Sequence, residues 1–216
     1  MGFREINSKM IEATVSPGAR LFSQRGAMLA YRGDVSFTPS VQSGQGGIMS
    51  MLGRRVAGEA APLMSVEGSG TVFFGHGGHH VQVISLTGDT LYVEADRLLA
   101  FEGSLRQGTM FMGSQGGVMG IVRGQATGQG LFTTTLQGQG AVAVMAHGGV
   151  FAIPITPQRP VHVDPQAYVA HHGEVRNRLS SALGWRDMVG RGSGEAFQLE
   201  LSGNGTVYVQ ASEEKL

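Results

Sequence analysis

The feature that most constrains the fold is an internal repeat with a period of about 70 residues. When the sequence is shifted by 70 positions, "MLAYRGDV" (28–35) aligns with "LLAFEGSL" (98–105) and again with "YVAHHGEV" (168–175). Between 28–72 and 98–142, 11 of 45 gap-free positions are identical. A third copy ends in "GEAFQLELSGNGTVYV", slipped by about five residues. Self-similarity at a fixed period indicates one structural unit used three times.

Glycine is enriched and marks the same place in each copy. The chain has 35 glycines in 216 residues, about twice the usual share of about 7%. A G-x-G step followed by an alternating apolar run recurs as Gly68/Gly70, Gly138/Gly140 and Gly203/Gly205. Because glycine tolerates positive φ, we interpret each step as a hairpin turn that leads into a strand.

The apolar positions around these steps also repeat. Val72, Val142 and Val207 are predicted to face one side of a strand, and an Ala-aromatic-x-Gly element places Tyr31, Phe101 and His171 at equivalent points. His171 is therefore interpreted as a buried substitute for an aromatic ring.

These patterns predict an all-β fold with at most short helices, one or two helical turns being expected within 173–190. Three β repeats, at 1–75, 76–145 and 146–216, are expected around a pseudo-threefold axis. One unit alone buries too little apolar surface for stability, so the three are expected to share a core.

Charge and composition exclude several classes of function. The chain has 16 basic and 16 acidic residues, which argues against a nucleic-acid partner because no field concentrates a polyanion. There is no cysteine, which excludes disulfides and a cysteine nucleophile and favours a cytoplasmic location. No apolar run approaches the roughly 18 residues of a transmembrane helix, which leaves peripheral membrane association open.

The stretch "FFGHGGHHVQV" holds the densest group of possible metal ligands. His76, His79 and His80 could share Zn²⁺ or Ni²⁺ on a turn, with Glu67 or Asp89 as a further ligand. The alternative is a turn that joins two repeats, because "HGG" recurs at 147–149 with no histidines after it.

Other chemistry has little support in the sequence. There is no Gly-Lys dipeptide for a phosphate loop and no G-x-S-x-G elbow, and Glu94 and Asp96 suit a solvated strand face. We therefore predict no cofactor and no catalytic residue. Residues that break the repeat are better candidates for an interaction surface, and these are Arg54, Arg55 and Trp185.

The pattern "GQGLF" with "LQGQGAVAV" at 128–144, echoed at 194–209, resembles the altered-inheritance-of-mitochondria type family. The resemblance spans essentially the whole chain. It implies a fold like the tryptophan RNA-binding attenuation protein, with a small double-stranded β-helix unit present three times. Fungal relatives are linked to mitochondrial inner-membrane organisation, and the family has no established catalytic residues to carry over to this chain. The clustered lysines and arginines that an RNA-binding ring needs are missing here.

Three hypotheses for function follow. The favoured one is a non-enzymatic assembly or scaffold protein, which forms a homo-oligomer or docks a protein partner through exposed strand edges. The second is a module that binds a small ligand at an interface between repeats. The third is a cupin-like metal enzyme that uses His76, His79 and His80.

Overall fold

A computed structural model describes residues 2–40, 62–111, 132–181 and 197–213 of the chain. Within these ranges the protein is all-β, as predicted, and its only helix is a 3-10 turn at Ala95–Arg97. The strands are β1 (Phe3–Asn7), β2 (Met10–Val15), β3 (Leu21–Gln24), β4 (Met28–Pro39), β5 (Leu63–Phe74), β6 (His80–Glu94), β7 (Leu98–Glu102), β8 (Arg106–Phe111), β9 (Phe132–Ala146), β10 (Val150–Ile155), β11 (Val161–Val163), β12 (Tyr168–Ser181) and β13 (Phe197–Gln210).

The strands form one open antiparallel sheet. Its order is β1-β2-β5-β3-β7-β9-β6-β12-β13-β10, with β4 on β5, β8 on β9 and β11 on β13. Three long strand pairs contain the repeated positions: β4 with β5, β7 and β8 with β9, and β12 with β13. In addition, β6 pairs with β9 along nearly its whole length. The helical turns expected within 173–190 are wrong for 173–181, because β12 pairs with β13 along its whole length. Residues 182–190 lie outside the described ranges.

The three long strand pairs have the same register at the repeated positions. Tyr31 lies opposite Val72, Phe101 opposite Val142 and His171 opposite Val207. The equivalence predicted from the 70-residue shift is therefore present in the backbone pairing.

The interpretation of the G-x-G steps as hairpin turns is wrong. Gly68 and Gly203 lie in the interior of β5 and β13, both with φ of 126°. A Cβ atom on Gly68 would lie 2.1 Å from the carbonyl oxygen of Asp34, and one on Gly203 would lie 2.1 Å from that of Glu174. These glycines therefore allow two paired backbones to approach closely, in a conformation that other residues rarely adopt.

The core consists of three clusters of buried side chains that follow the chain in series. The first joins residues of β2 and β5 to Leu99, Ala100 and Met145, and the second joins residues of β6 and β9 to Val169 and Ala170. The third cluster contains described residues from Ile155 onward. Neighbouring strand pairs thus share apolar surface, and a fully buried Val, Leu or Phe stabilises the fold by about 1.5–3 kcal/mol.

Candidate functional site

Two equivalent junctions connect successive strand pairs. In the first junction β3 pairs with β7, and Phe22 lies opposite Phe101. In the second, β6 pairs with β12, and Tyr92 lies opposite His171. The rings stack in both, with centroids 5.0 Å apart in the first and 4.7 Å apart in the second. Each junction therefore places two aromatic rings face to face between neighbouring strands.

His171 is buried in the second junction, as predicted for an aromatic substitute. Its Nδ1 lies 2.7 Å from the Tyr168 hydroxyl, which also donates a hydrogen bond to the Tyr92 carbonyl oxygen at 3.0 Å. Burial, together with the neighbouring His172, lowers the pKa of His171 to about 4. Burial also raises the pKa of Tyr168 well above its usual value. Both groups are neutral at pH 7, which suits a structural pair better than an acid–base pair.

A buried arginine ties the second and third strand pairs together. Arg97 lies in the 3-10 turn, is 1% exposed, and donates hydrogen bonds to Glu94 at 3.0 Å, to the Gln166 carbonyl at 3.0 Å and to Gln210. The interpretation of Glu94 as part of a solvated face is wrong, because its carboxylate faces Arg97. The 70-residue shift places Ala27 at the position of Arg97. A charged residue at a position where the other copy has alanine was the one sequence feature that could have identified Arg97.

The outer edge of β4 differs from the two junctions. Among the described strands, β4 pairs only with β5, and the exposed fractions of Leu29 and Tyr31 are 54% and 49%. At the other end of the sheet, β11 pairs only with β13 within the same ranges, and His162 is exposed. Like β1, β8 and β10, β4 and β11 therefore each leave one edge without a partner among the described strands, and the edge of β4 carries exposed apolar side chains.

The histidines near residue 76 lie on and beside a turn. Gly77 and Gly78 have positive φ values of 56° and 71°, and the His79 amide donates a hydrogen bond to the His76 carbonyl oxygen at 3.0 Å, so these residues form a turn. His76 Nδ1 lies 3.4 Å from the Gly26 carbonyl oxygen, and His80 begins β6.

His79 contacts His147 edge to face, with ring centroids 4.5 Å apart. Partial burial, followed by the nearby His147 and His76, lowers the pKa of His79. In the part of the chain that the structure describes, no group of three or more His, Cys, Asp or Glu side chains could hold a metal ion. The metal site at His76, His79 and His80 stays a prediction. Arg54, Arg55 and Trp185 lie outside the described residues.

A cavity of about 540 Å³ opens beside the first junction and is lined in part by Arg20, Phe22, Glu102 and Ser104. Glu102 is buried, and its Oε2 accepts a hydrogen bond from the Ala141 amide at 2.9 Å. Its Oε1 has no hydrogen-bond partner among the described residues. A buried carboxylate oxygen without a donor is the kind of group that a bound ligand satisfies.

Comparison with known proteins places the chain in a family. The family model described as mitochondrial biogenesis AIM24 matches residues 3–212. A crystal structure of a Streptococcus pyogenes protein from a structural genomics programme is similar, with a TM-score of 0.73 and 18% sequence identity. The match covers 97% of this chain and 92% of that one, and it shows a shared fold. No curated protein matches the sequence. Across the described ranges, no helix is both long enough and apolar enough to cross a bilayer.

Proposed function

The protein belongs to the mitochondrial biogenesis AIM24 family, and we propose that it is a non-enzymatic assembly protein that acts through its free strand edges. The observation that carries the proposal is the outer edge of β4. Leu29 and Tyr31 are half exposed there, whereas Phe101, at the position equivalent to Tyr31, is 1% exposed beneath a neighbouring strand. An uncovered strand edge with apolar side chains favours strand pairing with another chain.

The proposal includes the repeat architecture. The common register supports three units like the tryptophan RNA-binding attenuation protein, with boundaries at 1–75, 76–145 and 146–216. A closed arrangement around a pseudo-threefold axis would require β11 to meet β4 within one chain. Both strands have free outer edges in the described sheet, so the chain is better understood as a row of three units.

Light scattering after size exclusion, over a wide range of protein concentration, tests the assembly function. We expect a mass above that of one 22.7 kDa chain, rising with concentration. Leu29→Lys should weaken the assembly, because a lysine on an exposed edge opposes strand pairing. Thr14→Lys, on an exposed position of β2, is the matched control for added charge. A single monomeric peak at every concentration would contradict the proposal.

The cavity beside the first junction supports a second function, the binding of a small ligand between repeats. Glu102 Oε1 would accept a hydrogen bond from the ligand, and Arg20 would face any anionic group. A thermal-shift screen of small polar molecules tests this function, with Glu102→Gln expected to abolish any shift that the wild type shows. A screen without any stabilising compound would count against it.

The cupin-like metal enzyme is the third possibility, and it rests on His76, His79 and His80 alone. Elemental analysis of protein purified without a histidine tag tests it, with a His79→Ala/His80→Ala variant alongside. Equal amounts of Zn²⁺ or Ni²⁺ in both proteins, or none in either, would end this possibility.

A further inference from the structure

The two junctions inside the chain follow one rule of pairing. In the first, Leu21, Phe22 and Ser23 lie opposite Glu102, Phe101 and Ala100. In the second, Leu91, Tyr92 and Val93 lie opposite His172, His171 and Ala170. Each residue of the second set is 70 positions beyond its counterpart in the first. The junction is therefore a repeated interface, with the same strands, the same register and the same stacked pair of rings.

One further shift of 70 positions defines a third junction. For the strand that corresponds to β3 in the first junction, called the donor strand below, the shift gives Val161, His162 and Val163, which form β11. For the strand that corresponds to β7, called the acceptor strand below, a shift of 70 positions toward the N-terminus gives Arg32, Tyr31 and Ala30 in β4. Each of these strands has a single partner among the described strands, β13 for β11 and β5 for β4, as β1, β8 and β10 also do. Both halves of a third junction are therefore present in each chain.

The two halves lie at opposite ends of the sheet. Seven strands separate β4 from β11: β5, β3, β7, β9, β6, β12 and β13. Among the described strands, β11 does not pair with the chain's own β4. Tyr31 and His162 are both exposed, whereas Phe101 and His171 are each 1% exposed in the completed junctions.

We propose that β11 of one copy pairs with β4 of a second copy, with His162 stacked on Tyr31 and Val161 and Val163 opposite Arg32 and Ala30. The inference rests on the proposed assembly function and names its partner as another copy of this chain. Donor and acceptor strands differ, so the contact is head to tail and produces a ring if the rotation closes or a filament if it does not.

The chemistry at the two edges fits this partner. An imidazole and a phenol ring can stack as the Tyr92 and His171 rings do at 4.7 Å, with the tyrosine hydroxyl left at the rim. Pairing would also give hydrogen-bond partners to edge backbone groups and would cover Leu29 and Tyr31. An unrelated extended peptide could use the same backbone groups, but it would lack the register that two internal junctions share.

Disulfide trapping tests the register directly, since the chain contains no cysteine. Two single variants, Tyr31→Cys and His162→Cys, are purified, mixed and oxidised. Residues directly opposite in antiparallel strands have Cα atoms about 4.5–5.5 Å apart, within the range that a disulfide spans. We expect a covalent dimer in the mixture. Asp34→Cys mixed with His162→Cys is the off-register control and should give at least about tenfold less dimer, because a disulfide does not span Cα separations above about 7 Å.

The outcomes separate the inference from the function on which it rests. Assembly in light scattering with equal trapping in matched and off-register mixtures overturns the register while the assembly function stands. A Tyr31→Cys/His162→Cys double variant that forms only an intrachain disulfide at low concentration overturns head-to-tail pairing and favours the closed pseudo-threefold arrangement. Monomers at every concentration, without trapping, overturn both. Both substituted residues are exposed, and thermal unfolding of each variant verifies that its fold is retained.

Discussion

The completed junctions and the free edges of this molecule use the same sequence positions in different ways. Phe101 and His171 are each 1% exposed, whereas Tyr31 at the equivalent position is 49% exposed. All three have the same cross-strand partner type, a valine in the adjacent long strand. The difference comes from the next strand: β3 covers Phe101 and β6 covers His171, whereas β4 has no such neighbour among the described strands.

This comparison shows that the burial of a side chain depends on the neighbouring strands as well as on its own sequence. A ring is buried where a further strand pairs beside it, and it stays exposed where the described sheet has no such strand. The residues at the exposed end are compatible with both situations. A tyrosine ring can stack when covered and keep its hydroxyl in water when it is not.

The largest expected difference is between alanine substitutions at the two equivalent rings. Phe101→Ala should lower the free energy of unfolding by about 4 kcal/mol, because it leaves a cavity against Phe22 and the second core cluster. Tyr31→Ala should cost less than about 1 kcal/mol in the dilute, unassembled protein. Urea denaturation of both variants measures the difference. Similar losses would show that Tyr31 is covered in solution.

Arg97→Met tests whether the second junction depends on its buried charge. The variant should lower the free energy of unfolding by about 3 kcal/mol, because Glu94 keeps its charge in a site built around a cation. Arg20→Met is the control, because Arg20 pairs with Glu67 at 2.5 Å where both side chains are about half exposed. It should cost less than about 1 kcal/mol. Chemical denaturation at neutral pH compares them, and equal losses would refute a special role for Arg97.

The glycine positions should behave alike in covered and uncovered strand pairs. Gly68→Ala and Gly203→Ala should each cost between about 2 and 3 kcal/mol, because Cβ would strike a paired backbone and φ is positive. Gly88→Ala separates the two causes, since Gly88 has φ of 121° with no atom within 4 Å of an added Cβ. It should cost about 1 kcal/mol. If Gly203→Ala were milder than Gly88→Ala, the close-approach explanation would fail.

The smallest expected effect is the part of the pH dependence of stability that arises from His171 in the second junction. The folded pKa of His171, about 4, lies below its ordinary value of 6.5, so the unfolded chain takes up a proton that the folded site refuses. The stability that depends on neutral His171 is fully present above pH 6.5, the pKa of histidine in the unfolded chain, and it declines as the pH falls toward the folded pKa of about 4. Between about pH 7 and pH 5 the loss is about 2 kcal/mol. His171→Phe, which copies Phe101, should remove this part of the slope in thermal unfolding measured across that range. An unchanged slope would show that His171 is accessible to protons.

The sequence predicted some of these features and missed others for identifiable reasons. The repeated Ala-aromatic-x-Gly element predicted the equivalence of Tyr31, Phe101 and His171. Similar local sequences form the same register with their partner strands, and each of these residues lies opposite a valine. The G-x-G steps signalled positive φ but not their place in the strand, since a turn and a close approach of backbones select glycine equally. The helical turns expected in 173–190 were wrong for 173–181, where pairing with β13 overrides local propensity.

The candidate site was less predictable. Glu94 alone resembled a solvated carboxylate, and only the packing of the 3-10 turn against Gln166 and Gln210 shows that Arg97 and Glu94 form a buried pair. No sequence feature distinguished the exposed edge of β4, because Tyr31 belongs to the same Ala-aromatic-x-Gly pattern as the buried Phe101 and His171.

By itself the sequence determined the all-β class, the period of about 70 residues and the positions that occupy equivalent places, because each depends on local patterning that every copy repeats. Only the tertiary structure decided which of those positions are covered and which remain open. That outcome depends on strands contributed from tens of residues away: β3 covers Phe101 and β6 covers His171, whereas no described strand covers Tyr31.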